Sequence, residues 1–318
     1  MPVVPLFFIS LLLHAWVGWR IVPALAAVYP AAAVLLGVVL VASALLMPVG
    51  LMGRRVSRGP VWVMLTWAGL LCMGLFSTLF VLTVLRDALL MLAWSVTWIA
   101  GLAGIDVDML LPLQIWSAVA VPVLGLAATL WGFWNARRTA RVVRVDVPIA
   151  GLPAALQGFT VAQISDIHVG PTIRQDYLQR IVARVNALDA DMVAITGDLV
   201  DGRVADLRRH VAPVAGLTSR HGTFFVTGNH EYYSGAQPWI DELRRLGITV
   251  LMNEHVVLQH DAVAMVVAGV ADYGAYRFDE THRSDPAAAL AGAPAGAPMR
   301  LLLAHQPRSA AAASSAGF

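Results

Sequence analysis

Phe159-Thr160-Val161-Ala162-Gln163-Ile164-Ser165-Asp166-Ile167-His168 is an apolar run that ends abruptly in a carboxylate and an imidazole. Residues 159–165 read as a buried strand, and the same design recurs downstream. The apolar runs 191–196 and 223–226 end in Thr196-Gly197-Asp198-Leu199-Val200-Asp201 and Thr227-Gly228-Asn229-His230-Glu231, and a late run, 300–304, ends in Ala304-His305-Gln306-Pro307. Between them, 177–188 carries Leu178, Ile181, Val182 and Val185 at helical spacing, and 239–246 reads as a second helix. Short apolar runs at 248–251, 256–258 and 264–268 make the later portion rich in strands, whereas 285–298, full of Ala, Gly and Pro, reads as a short helix and linker. Strands alternating with helices predict α/β layers.

The polar residues stand just beyond the C-terminal ends of strands, where such folds place their sites. Together these ends offer Asp, His, Asp, Asn, His and His, a mixture of hard oxygens and imidazoles. That donor set suits Mn, Fe or Zn better than Ca, which seeks oxygen alone. The single cysteine, Cys72, lies in an apolar run, so neither a thiolate metal site nor a disulfide framework is available.

Taken in order, these motifs resemble the calcineurin-like metallophosphoesterase family, written Asp-x-His, Gly-Asp-x-x-Asp, Gly-Asn-His-Asp/Glu, a lone His and then Gly-His-x-His. The resemblance runs from about Leu152 onward, and the wording GDLVDG, GNHEYYSG and LLLAHQP is similar to the bacterial membrane-associated branch. It implies a two-sheet β-sandwich flanked by helices and a phosphoester hydrolase with two divalent or trivalent ions. Asp166 and His168 would bind the first ion, Asp198 would bridge both, and Asn229 and His305 would bind the second. Metal binding would lower the pKa of water for in-line attack at phosphorus. His230 would be a catalytic acid rather than a ligand, and Asp201 would hold its tautomer.

Two departures from the family pattern matter. The protein-phosphatase branch has Arg directly after the second Asp of Gly-Asp-x-x-Asp. Here Gly202 stands there with Arg203 one step late, which argues against a phosphoprotein substrate. The sequence also stops at Phe318, before any Gly-His-x-His, and we expect it to be a fragment truncated at its C-terminus. The alternative to a phosphodiesterase or pyrophosphatase is then a catalytically impaired membrane protein that senses a phosphorylated ligand.

The chain before the motifs obeys a different solvent. Of 318 residues 58% are hydrophobic and only 13% charged, well below the quarter usual for soluble domains, and the deficit falls before about Trp134. Residues 1–135 read as an α-helical membrane bundle, 136–151 as a basic juxtamembrane linker and 152–318 as the hydrolase domain. Runs at 3–27, 31–52, 60–85 and 111–134 are long enough to span a bilayer. The run 88–104 is apolar but short, and serves either as a fifth span or as a surface helix. Arg54, Arg55 and Arg58 on one loop and Arg137, Arg138, Arg141 and Arg144 after the last span mark both as cytoplasmic by the positive-inside rule. Both can be cytoplasmic only with an even number of crossings between them. We therefore expect four spans in the inner (plasma) membrane, 86–108 near the outer surface and a cytoplasmic catalytic domain.

A net charge of +2 with no basic tract in the second half gives no support for nucleic-acid binding. The expected partners are the membrane and a phosphorylated small-molecule or lipid-linked substrate. His14 and the pair Arg86-Asp87 are polar groups in or beside the apolar runs and so candidates for function. His210, His221, His255, His260 and His282 lack ligand spacing and read as surface or loop residues. Asp272-Tyr273, after the 264–268 run, either lines the cleft or, the preferred reading, forms a solvated turn.

Overall fold

The computed structural model describes residues 3–53 and 59–318. Arg54, Arg55 and Arg58, on which the first basic loop rests, lie outside the described residues. The chain forms two compact units, Met1–Arg138 and Thr139–Phe318.

The first unit is four helices: α1 (Val3–Ala26), α2 (Pro30–Gly53), α3 (Pro60–Leu102) and α4 (Leu110–Arg137). All four are long and apolar enough to cross a membrane. Large apolar side chains such as Val4, Trp19, Val34, Met64 and Met91 point outward, which suits a unit whose solvent is hydrocarbon. The 60–85 run does not stop at Arg86-Asp87, and 88–104 is neither a separate span nor a separate surface helix. One helix of 43 residues runs through both. At 1.5 Å per residue that is about 64 Å, twice a hydrocarbon core.

The polar pair does not break α3 because its charges are met by neighbouring helices. Arg20 of α1 donates twice to Asp87, at 2.8 Å from both Nε and Nη2. Arg86 is buried and donates to the Ser117 hydroxyl and to the carbonyls of Arg20 and Gln114. His14 is buried likewise, its Nδ1 bonded to the Ser10 carbonyl at 2.7 Å, its Nε2 facing the Ser43 hydroxyl at 2.9 Å and its ring stacked on Phe76. These polar groups join α1, α2, α3 and α4.

The second unit begins with an extended segment and then builds two sheets. In chain order its elements are β1 (Val161–Ile164), α5 (Gln175–Asn186), β2 (Met192–Ile195), α6 (Val204–Val211), β3 (Thr223–Phe225), α7 (Asn229–Ser234), α8 (Ala236–Arg245), β4 (Thr249–Val250), β5 (Glu254–His260), β6 (Val263–Gly269), α9 (Pro286–Ala289), β7 (Met299–Leu303) and α10 (Ala310–Ala316). The first sheet is parallel in the order β1-β2-β3-β4; in the second, β5 runs antiparallel to β6 and β6 parallel to β7.

Strand period assigns each face. Val193 and Ile195 of β2 pack with Leu178 and Ile181 of α5 and with Trp239 and Leu243 of α8. Met192 and Ala194, on the opposite face, pack with Met265 and Val267 of β6 and Leu303 of β7. The outer face of the second sheet, Val266 and Ala268, meets Ala289 of α9. The layers are therefore helices, sheet, sheet, helices, the flanked sandwich that the family resemblance implies.

One backbone approach in the first unit is tight enough to test. A Cβ added at Gly69 of α3 would lie 2.3 Å from the Leu46 carbonyl oxygen of α2, and one at Gly50 would lie 2.8 Å from Gly69 backbone atoms. Small residues let helices touch in this way. Gly69→Val should lower stability by roughly 1–3 kcal/mol or more. Gly74→Val, on the same helix with no atom within 4 Å, should cost far less. Thermal melts in detergent compare the two, and equal melting temperatures would refute the contact.

Candidate metal centre

The motif loops are zipped together by backbone before any side chain acts. Beyond β1 and β2 the two chains continue side by side: Asp166 N–H donates to the Gly197 carbonyl, His168 to Asp198, Val169 to Leu199 and Asp201 back to Val169. This ladder brings Asp166, His168, Asp198 and Asp201 to one end of the sheet. It also forces unusual backbone. Asp166, His168 and Asp198 have φ of 56°, 54° and 53°, the left-handed region that costs an L-residue about 1–2 kcal/mol each. Such outliers concentrate at functional sites.

The β3 loop docks on the β2 loop through glycine. A Cβ at Gly228 would sit 2.6 Å from the Asp198 nitrogen, and one at Gly197, whose φ is 91°, would sit 2.5 Å from the Gly228 nitrogen. Only glycine fits either position. The contact carries Asn229 and His230, the first residues of α7, to the site, and the His230 backbone N–H donates to Asp198 Oδ1 at 2.8 Å.

Three imidazoles then converge on one carboxylate. His305, after β7, is anchored by Nδ1 on the Thr196 carbonyl at 2.8 Å. His168 and His230 are both anchored by Nδ1 on Asp201 Oδ1, at 3.1 and 2.5 Å. In each case this leaves Nε2 facing Asp198 Oδ2, at 3.4 Å for His305, 3.8 Å for His168 and 4.0 Å for His230. Donor atoms of Asp166, Asp198 and His305 lie within 4.8 Å of one another, and so do those of His168, Asp198 and His230. Asp198 is common to both groups. Neutral imidazole lone pairs aimed at a carboxylate repel it, so this arrangement calls for cations: protons or metal ions. The mixed oxygen and nitrogen donors, with imidazoles fixed by outer hydrogen bonds, fit a pair of transition-metal ions.

The electrostatics follow from that convergence. Asp198 beside it pushes the His305 imidazole up to about 9, and the bond to Asp201 raises His168. Burial opposes ionisation of Asp198, but its bonds from His305 and the His230 N–H outweigh that and hold its carboxyl below the ordinary value.

The structure thus brings Asp166, His168, Asp198, Asp201, His230 and His305 together and sets Asn229 beside His230 at the start of α7. Arg203 is elsewhere: it is exposed and paired with Asp206 at 3.3 Å. A Cβ at Gly202 would meet Leu207 at 2.9 Å, and its carbonyl accepts from the Trp239 indole N–H. Asp272 is not in a solvated turn. It is 1% exposed, accepts from Gln306 and from the Gly274 N–H, and its own N–H donates to Thr227. His260 is buried against His221, and His282 bonds the Tyr232 hydroxyl, so neither is a free surface residue.

Glu231 is the residue whose part the sequence reading left open. It is 0% exposed. Its Oε2 accepts from Gly228 N–H at 2.7 Å and Asp198 N–H at 2.9 Å, and its Oε1 from Leu199 and Val200 N–H at 2.8 and 3.3 Å. Burial pushes its carboxyl up to about 7 against the pull of these donors.

The calcineurin-like phosphoesterase family model matches residues 159–316. A bovine "transmembrane protein with metallophosphoesterase domain" is 36% identical over 238 residues, covering 72% of this chain and 52% of the relative. That is more than the second unit holds, so the likeness reaches into the apolar helices. An "uncharacterized metallophosphoesterase" of Helicobacter pylori is 40% identical over 145 residues, 46% of this chain and 38% of the relative. The UDP-2,3-diacylglucosamine pyrophosphatase LpxG of Chlamydia muridarum is 27% identical over 115 residues, 36% of this chain and 34% of the relative. The second unit is a calcineurin-like phosphoesterase domain. The chain spans about half or less of the length of these curated relatives.

The stitch made by Glu231 is directly testable. Glu231→Ala leaves buried N–H groups unmet, at about 1–3 kcal/mol apiece, and should lower stability by roughly 3 kcal/mol or more. Glu231→Gln, which turns an NH₂ toward one pair of donors, should recover only part. Denaturant titration of the full chain measures both, and a loss under about 0.5 kcal/mol in the Ala variant would refute the role.

Proposed function

We propose that the chain is a metal-dependent phosphoester hydrolase of phosphodiesterase or pyrophosphatase type. The reading rests on one observation, the three Nδ1-anchored imidazoles whose Nε2 atoms converge on Asp198. By the family resemblance Asp166 and His168 would hold one ion and Asn229 and His305 a second, with Asp198, common to both donor groups, shared between them; Mn, Fe or Zn would fit the donors. When bound, the ions supply an acidified water and neutralise charge on the phosphoryl oxygens.

The remaining work belongs to the chain. His230 is kept for proton transfer, the role that the family resemblance implies, with its Nε2 4.0 Å from Asp198 Oδ2. Asp201 fixes its tautomer, with the proton on Nδ1 and Nε2 turned to the site, so that a protonated Nε2 can donate to the leaving oxygen. The same carboxylate oxygen orients His168, which couples the ligand shell to the acid. The names of the relatives favour a substrate at the membrane, lipid-linked or nucleotide-like, since one of them acts on a nucleotide-linked acylated sugar.

Activity should require metal and Asp198. A generic phosphodiester should be hydrolysed by the full chain with Mn and not after chelation. Asp198→Ala should abolish both turnover and binding of two ions. His230→Ala should keep its ions and lose roughly 10²–10⁴-fold in rate, the usual share of a general acid. Loss of the ions from a folded His230 variant would overturn its role.

Metal uptake should also release protons. His305, raised to about 9 by Asp198, carries a proton at neutral pH in the metal-free site, and an ion must displace it. Affinity should therefore rise with pH, by at least about tenfold per unit between pH 6 and 8. Calorimetry in buffers of different ionisation enthalpy reads both effects, and a pH-independent affinity would remove His305 from the ligand set.

We further infer that the hydrolase faces the cytoplasm. Arg137 closes α4 and Arg138, Arg141 and Arg144 follow it, a cluster of the kind that marks the cytoplasmic side. A reporter fused after Arg144 should report cytoplasm, and a periplasmic signal would reverse the topology.

A further inference from the structure

Beyond residue 152 few large apolar side chains are exposed among the described residues: Val161, Tyr233, Val257, Tyr273 and Phe278. Most of these are aromatic, and two of them adjoin the metal centre. Tyr233, 65% exposed, packs edge-on against His230 with ring centroids 5.2 Å apart, and Phe278, 55% exposed, packs against Tyr233 at 5.6 Å. The pair rests on a fixed base. Tyr232 lies buried against Phe278, its hydroxyl bonded to His282 Nδ1 at 3.0 Å and in contact with the Thr227 hydroxyl at 3.4 Å. Aromatic surface left in water beside a reaction centre needs a partner.

We propose that Tyr233 and Phe278 form a stacking shelf for a flat ring carried by the substrate, so that the hydrolase prefers phosphoesters bearing a nucleobase. The proposal rests on the hydrolase reading for its phosphate anchor. An open shelf discriminates between a ring and an acyl chain. A ring laid on it covers a whole face while its polar edge stays hydrated, whereas a chain keeps much of its apolar surface in water. Stacking of this kind tolerates different bases, since each has a π-face. The contact with His230 places the stacked group beside the proposed acid, at the end of the site where the leaving oxygen must sit.

The test uses the full chain in detergent with Mn. Binding of adenosine monophosphate and of methyl phosphate is measured by calorimetry, and turnover is compared for a nucleoside diphosphate ester and a ringless alkyl diphosphate ester. The wild type should favour the ring-bearing ligand by about 5- to 150-fold. Tyr233→Ala and Phe278→Ala should reduce that ratio, acting mainly on KM, whereas Tyr233→Phe and Phe278→Tyr should preserve it. Equal affinity of the wild type for both ligands would overturn the shelf. So would a ratio unchanged in the Ala variants, or a gain for dodecyl phosphate in place of the nucleotide. Ring-dependent binding without any turnover would uphold the shelf and sink the hydrolase reading; turnover without ring preference would do the reverse.

Discussion

The second unit depends on Glu231, a carboxylate with no solvent contact that accepts backbone N–H groups from two loops at once. Hydrogen bonds to a charged acceptor contribute about 1.5–3 kcal/mol each, enough together to offset left-handed backbone at Asp166, His168 and Asp198. With the β2 and β3 loops locked, Gly197 and Gly228 touch and Asp198 becomes the common point of the site. That docking places His230, while His168 arrives through the ladder from β1 and His305 through its bond to the Thr196 carbonyl. The loops that carry the candidate ligands are therefore positioned by main chain, as a site that must hold its geometry closely requires.

Asp201 extends the same logic outward. One of its oxygens receives Nδ1 of both His168 and His230, so a single carboxylate sets the tautomer of a proposed ligand and of the proposed acid. Moving Asp201 would disturb both at once, and the effects of changing the three residues should not add. Its own backbone N–H is spent on Val169 in the ladder between the β1 and β2 loops. Loop pairing, tautomer choice and metal geometry are thus one connected structure.

How much of this could be read from sequence differed between the halves for a physical reason. Strands ending in Asp, His or Gly-Asp announce themselves because burial makes the strand apolar and chemistry makes its end polar. The strands β1, β2, β3 and β7 stood out in this way, as did the residues that meet at Asp198, while the other strands were legible as short apolar runs and α5 and α8 as helices. Glu231 did not disclose its task, because a carboxylate that binds backbone leaves no spacing pattern. Asp272 read as a turn because its burial is produced by Thr227 and Gln306, which are 45 and 34 positions away. His260 and His221 pair across a separation of 39 positions and were equally opaque.

In the apolar half the failure was of another kind. Periodicity locates a helix by contrasting a wet face with a dry one, and a helix bathed in lipid has no such contrast. Composition alone could count the spans, but it placed an end at Arg86-Asp87 because charges in an apolar run usually mean water. Here they mean other helices. Arg20 neutralises Asp87, while Ser117, Gln114 and the Arg20 carbonyl take the donors of Arg86, and α3 continues past them. The principle that holds the candidate metal site also holds the bundle: a charge removed from water persists when its hydrogen bonds are met by partners the fold has already fixed.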